Sequence, residues 1–91
     1  MAINLDRSKP IKFSDHAREK MLDRGATESE VIEAIRTGSG EPARKGRTMF
    51  RKNMEFHGQW RGKLYAVKQV APVVTEEADR LVIVTVFVYY F

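Results

Sequence analysis

His16, Lys20 and Arg24 recur at intervals of four, a spacing that projects all three side chains from one edge of a helix. A titratable imidazole beside two cations is part of what phosphodiester chemistry on RNA requires. That chemistry needs a base for the 2′-hydroxyl, an acid for the leaving 5′-oxygen, and cations for the charge that develops on phosphorus. The competing reading is that Asp15, Glu19 and Asp23 neutralise the triplet in surface pairs worth about 0.2–0.5 kcal/mol each.

Lys52 and Lys68 interrupt two stretches whose other inward positions are apolar, where a lysine must snorkel, pair or meet an anion. Two hairpin registers are open. A turn about Trp60 sets Phe56 against Leu64, Met54 against Ala66 and Lys52 against Lys68, so that two opposed cations repel unless they clamp a phosphate. A turn at Arg61 and Gly62 sets Trp60 against Lys63 and separates the lysines. His57, beside Gly58, reads as an exposed turn residue that could also act as a second acid or base. Trp60, Tyr65, Tyr89 and Tyr90 are aromatic platforms of the kind that stack nucleobases of single-stranded RNA. Tyr90 and Phe91 suit packing better, whereas Tyr89 near the end of the last strand can present a phenolic donor.

The net charge of +4 over 91 residues is unevenly distributed. Residues 1–43 carry seven basic side chains against eight acidic ones, and residues 69–91 carry one against three. Between them Arg44, Lys45, Arg47, Arg51, Lys52, Arg61, Lys63 and Lys68 meet only Glu55, a net +7 in 25 residues. Concentrated charge of this kind is the footprint of a polyanion binder, with a solvated polar face as the alternative. Cysteine is absent, which excludes disulfides, thiolate catalysis and cysteine-ligated zinc, and two histidines are too few for most all-histidine metal sites. No metal or cofactor is expected. No apolar run approaches the roughly 18 residues of a membrane span, and residues 1–10 carry no signal-peptide core, so the expected address is the cytoplasm. At this length one domain with a two-layer core is expected, and any active site must lie on an open surface.

The elements that would position these groups follow from capping signals and periodicity. Ser14 or Asp15 can cap a first helix, with Phe13, Ala17 and Met21 as its apolar stripe, ending at Arg24 with Gly25 as the stop. Thr27 to Glu30 forms a capping box, and Ala26 and Val31 a hydrophobic staple, so a second helix begins there. Val31, Ile32, Ala34 and Ile35 supply its buried side, and Thr37 and Gly38 end it. Gly38, Ser39 and Gly40 read as a connector. From Arg47 the period becomes two, with Thr48, Phe50, Lys52, Met54 and Phe56 on one face and Arg47, Arg51, Asn53 and Glu55 on the other. A second strand runs from Lys63 to Ala71 and stops at Pro72 or soon after, and Glu76 to Asp79 turns the chain. Strict alternation puts Val82, Val84, Val86 and Val88 on one side of the last strand and Leu81, Ile83, Phe87, Tyr89 and Phe91 on the other. A strand apolar on both faces belongs inside a sheet. The expected fold is α+β, with two N-terminal helices on one face of a three- to four-stranded antiparallel sheet. The opposite face either curls into a shallow basic groove or is covered by a partner protein or a second copy of the chain.

The run Ser14-Asp-His16-Ala-Arg-Glu-Lys20-Met-Leu-Asp-Arg24-Gly25, with the capped second helix and Val84-Thr85-Val86-Phe87, resembles a small bacterial domain family of unknown function. Its opening pattern is Ser-x-His-Ala-x-x-Arg/Lys-Met-x-x-Arg-Gly. That family is grouped with RelE-like and ParE-like toxins, in the fold shared by barnase, EndoU and colicin-type ribonucleases. The resemblance implies a RelE-like, metal-independent endoribonuclease, the toxin of a toxin–antitoxin pair, cleaving RNA by 2′-hydroxyl attack to a 2′,3′-cyclic phosphate. His16 would be base or acid, while Lys20, Arg24 and Lys68 would stabilise phosphate. Lys68 and Tyr89 occupy strand positions where such toxins place basic and phenolic groups, and Arg44 to Lys63 would hold the RNA backbone. The alternative is a non-catalytic protein whose basic block docks nucleic acid or an acidic antitoxin, or a homodimer formed through the sheet.

Overall fold

A computed structural model describes residues 5–91. The reading that the N-terminus lacks a signal core therefore lies partly outside the described residues. Strand β1 (Ile11–Phe13) leads into helix α1 (Asp15–Arg24) and helix α2 (Glu28–Thr37). Then come β2 (Ser39–Pro42), a 3-10 turn at Arg44–Gly46, β3 (Thr48–Trp60), β4 (Lys63–Glu76) and β5 (Leu81–Tyr90). The strands form one sheet in the order β1-β5-β4-β3-β2, antiparallel except where β1 pairs parallel with β5. The α+β plan of two N-terminal helices on one sheet face is therefore present and consistent with a RelE-like topology. The sheet differs from expectation in having five strands and one parallel pair. Ser39 and Gly40 are part of an edge strand rather than a plain connector.

Both helix starts form as the sequence dictates. Ser14 Oγ accepts from Ala17 N at 3.1 Å, and Thr27 and Glu30 complete a reciprocal capping box. Val31, Ala34 and Ile35 of α2 are buried over β3 and β4, against Phe50, Val70 and Val74. Helix α1 buries only Ala17 and Met21, too little apolar surface to hold ten residues by itself. Polar contacts with β5 fasten it. Ser14 N donates to Ile83 O at 3.3 Å, Ser14 Oγ to Val84 O at 3.3 Å, and Arg24 Nη1 to Val86 O at 2.8 Å. Carbonyls that β1 is too short to reach are thus satisfied from the helix.

Three departures from regular pairing set what faces where. Val74 pairs with Ile83 but Val73 with Thr85, so β5 carries one extra residue at Val84. This bulge reverses the alternation: Leu81, Ile83 and Val86 all face the helices, and Phe87 moves to the opposite face. The strict alternation expected for β5 is corrected accordingly. A second bulge lies between Glu55 and Gly58, with His57 at φ +45°, so His57 is an exposed residue inside β3 rather than in a turn. The turn itself is Arg61 and Gly62, both at positive φ, which matches the twist of a two-residue hairpin. That selects the register pairing Trp60 with Lys63, setting Lys68 opposite Met54 and Lys52 opposite Val70. The two lysines are not a phosphate clamp. Pro72 does not end β4 either: the strand continues to Glu76, and the β3–β4 pairing lapses between Met49–Val73 and Lys52–Val70, around the residue that lacks an N–H.

Candidate nucleic-acid interface

The open face of the sheet carries three rows of side chains fixed by the strand registers. Glu41, Met49, Val73 and Thr85 lie across β2, β3, β4 and β5. Next come Ser39 beside Arg51 and Ala71 beside Phe87, then Asn53, Gln69 and Tyr89. The first of these rows, with Arg44, Arg47, Arg51 and Phe87, lines a groove of about 540 Å³ whose apolar floor is Met49, Val73 and Phe87. One polar network ties the centre. Arg51 Nε donates to Glu41 Oε1 at 2.7 Å, Arg51 Nη1 to Gln69 Oε1 at 3.0 Å, and Gln69 Nε2 to Asn53 Oδ1 at 2.8 Å. The hydrogen bond to Glu41 holds the Arg51 proton more firmly than water would. The guanidinium carbon lies 5.7 Å from the centre of the Tyr89 ring, which remains 43% exposed.

The basic block divides in two. Among the described residues Arg44, Lys45, Arg47 and Lys63 have no carboxylate within ion-pair distance, and Arg44 and Arg47 line the groove. The rest of the block, apart from Arg51, is engaged with the helices. Lys52 Nζ donates to Thr37 Oγ1 at 2.6 Å and lies 3.7 Å from Glu33. Lys68 is 5% exposed; its Nζ lies 2.8 Å from Glu30 Oε1 and donates to Gly25 O at 2.6 Å.

The contacts of Lys68 belong to a cap on α1 that the sequence does not advertise. A helix leaves its last carbonyls without partners and its C-terminus partially negative. Here Arg61 Nη2 donates to Asp23 O at 2.9 Å, Tyr90 Oη to Arg24 O at 2.7 Å, and Lys68 Nζ to Gly25 O. Three consecutive carbonyls take three side chains from the hairpin turn, β5 and β4. Trp60 stacks on Tyr90 at 5.0 Å, and Phe56 and Tyr65 pack around the same ring, so these aromatics are partners of one another. Burial raises the Tyr90 pKa and keeps its hydroxyl a donor. Gly25, at φ +80°, lies beneath this cluster: a Cβ would approach Tyr90 Oη at 2.6 Å and Trp60 Cζ3 at 2.7 Å. Gly25→Ala is expected to destabilise the protein by about 2–4 kcal/mol, from left-handed strain plus overpacking, measured by urea unfolding. A change below about 1 kcal/mol would show that the cluster is loose.

Of the residues read as catalytic, His16 lies exposed on α1, and Lys20 is 4.0 Å from Asp23. Arg24 reaches the edge of the open face, its guanidinium 5.0 Å from the Phe87 ring centre. Tyr89 stands on that face with Arg51, whereas Lys68 lies on the helix side. Glu41 joins the constellation only through strand pairing: the sequence places it in a Gly-Glu-Pro stretch with no periodicity to reveal β2. Among the described residues no group of three histidine, aspartate or glutamate side chains converges as a metal site, and no helix is long and apolar enough to cross a membrane. The chain matches no protein-family model, no curated protein and no solved structure. What the fold and the site define is a small α+β domain with a helix-covered face and an open, arginine-lined one.

Proposed function

We propose that this chain binds single-stranded RNA across its open sheet face. In this reading it acts in the cytoplasm as the toxin of a toxin–antitoxin pair, as its resemblance to RelE-like proteins implies. The observation that carries the binding reading is the groove: an apolar floor with Phe87 as a stacking surface, Tyr89 exposed farther along the same face, and Arg44 and Arg47 at its flank, which no carboxylate neutralises among the described residues. An acidic antitoxin would compete for the same arginines, and a second copy covering the face would appear as a dimer in gel filtration that RNA dissociates.

A second reading, endoribonucleolytic cleavage, is favoured by the grouping of Glu41, Arg51 and Tyr89 on that face. A carboxylate there, or His16 from α1, takes the 2′-hydroxyl proton. The 2′-oxygen then forms its bond to phosphorus as the bond to the 5′-oxygen breaks, giving a 2′,3′-cyclic phosphate. Arg51 and Arg24 stabilise the charge on phosphorus, and Tyr89 donates its proton to the leaving 5′-oxygen. Lys20 adds positive potential beside His16. Purified protein incubated with total RNA in EDTA is expected to yield cyclic-phosphate ends, with Tyr89→Phe slower by about 10²-fold; a His16→Ala rate reduced to a similar degree assigns the base to the imidazole, and an unchanged rate assigns it to Glu41. Absence of cleavage by the wild-type protein sinks this second reading and leaves RNA binding, read by fluorescence anisotropy, as the function.

A further inference from the structure

Arg24 at the end of α1 and Arg61 in the β3–β4 turn border a second cavity, beside the groove. Arg24, Arg61, Asp23, Trp60, Tyr90 and the neighbouring Phe87 line a cavity of about 250 Å³. Each guanidinium is fixed twice. Arg24 Nη1 donates to Val86 O at 2.8 Å and its carbon lies 5.0 Å from the Phe87 ring centre; Arg61 Nη2 donates to Asp23 O at 2.9 Å and its carbon lies 5.1 Å from that of Trp60. Neither has a carboxylate within ion-pair distance among the described residues. A guanidinium carries five N–H donors in a planar fork, so a single carbonyl leaves most of each fork unused. The one carboxylate among the described residues lining the cavity, that of Asp23, lies 4.0 Å from Lys20 Nζ and does not cancel two guanidinium charges.

We infer that Arg24 and Arg61 form a saddle for one phosphate group. The ligand chemistry follows from the forks: a tetrahedral dianion or phosphodiester accepts from two planar donors at once, and pre-oriented donors lose little freedom on binding. Phe87 lines both this cavity and the groove, so a polynucleotide leaving the groove passes directly over the saddle. That second step rests on the RNA reading; the saddle itself does not. The phosphate is therefore either part of an RNA backbone or free in solution, and the test separates the two.

Arginine Nε–Hε resonances are followed by NMR during titration with inorganic phosphate, and RNA affinity is measured in parallel across salt concentrations. Phosphate is expected to shift the Arg24 and Arg61 signals, and Arg61→Gln, which keeps a donor for Asp23 O, should abolish the Arg24 shift. The same variant should weaken RNA binding on the order of tenfold and reduce the salt slope by about one, with Arg61→Lys recovering only part. Shifts with unaltered RNA affinity assign the saddle to free phosphate, and an RNA effect without shifts assigns it to the polynucleotide. If RNA fails to bind at all, the RNA reading falls while the phosphate titration still decides the saddle. Unmoved arginine signals together with unchanged RNA affinity in a folded Arg61→Gln protein overturn it.

Discussion

Replacing Lys68 with methionine is expected to destabilise the protein by about 2–4 kcal/mol, although methionine fits a core in volume and hydrophobicity. The lysine ties together three things: the C-terminal carbonyl of Gly25, the carboxylate of Glu30 in the α2 capping box, and strand β4. Removing the ammonium leaves Glu30, whose side chain is 25% exposed, with only its bond to Thr27 N, and leaves the Gly25 carbonyl without a donor. In a domain of this size that loss corresponds to a fall in melting temperature on the order of 10–25 °C. Adding Glu30→Gln should recover part of it, because the stranded charge is then gone. A melting temperature within a few degrees of wild type for the single variant would show that the pair is not what joins the helices to the sheet. Structure and chemistry also separate at this residue: any loss of activity in the Lys68 variant should track its unfolded fraction.

The groove arginines should behave in the opposite way. Arg44→Gln with Arg47→Gln is expected to leave the melting temperature nearly unchanged, since neither side chain makes an ion pair among the described residues. RNA affinity at low salt should fall by about 10–100-fold, and the dependence of log affinity on log salt should flatten by about two, one for each phosphate that is no longer neutralised. The weakening should be similar across RNA sequences, because phosphate contacts position a strand without reading its bases. Anisotropy with several single-stranded oligonucleotides across salt concentrations measures both quantities. An unchanged slope would place the RNA, if it binds, away from the open face.

Local signals in the chain carried the helices almost completely. Ser14, Thr27, Glu30 and Gly25 specify starts and stops within a few residues, and the apolar spacing of Val31, Ala34 and Ile35 specifies the buried side of α2. The strands were less legible where pairing, rather than composition, decides the geometry. Nothing local marks Val84 as an extra residue, yet that bulge turns Val86 inward and Phe87 outward, and so builds the floor of the groove. Nothing local distinguishes the two hairpin registers except the ease with which Gly62 takes positive φ, which becomes decisive only once the strands twist together and Arg61 is held at positive φ beside it.

Charge shows the same division. The concentration of eight basic residues between Arg44 and Lys68 is fixed by the sequence, and so is the absence of thiol chemistry. Which of those cations are available to a ligand is decided by tertiary structure. Lys68 caps the Gly25 carbonyl, Lys52 bonds α2, and Arg51 is held by Glu41, while Arg44 and Arg47 remain on the open face and Arg61 gives one N–H to Asp23 O and keeps the rest of its fork free. The physical reason is range. Helix propensity, capping and net charge depend on residues a few positions apart, whereas a carbonyl at residue 25 finding an ammonium at residue 68 depends on how the sheet is registered and which way each side chain then points.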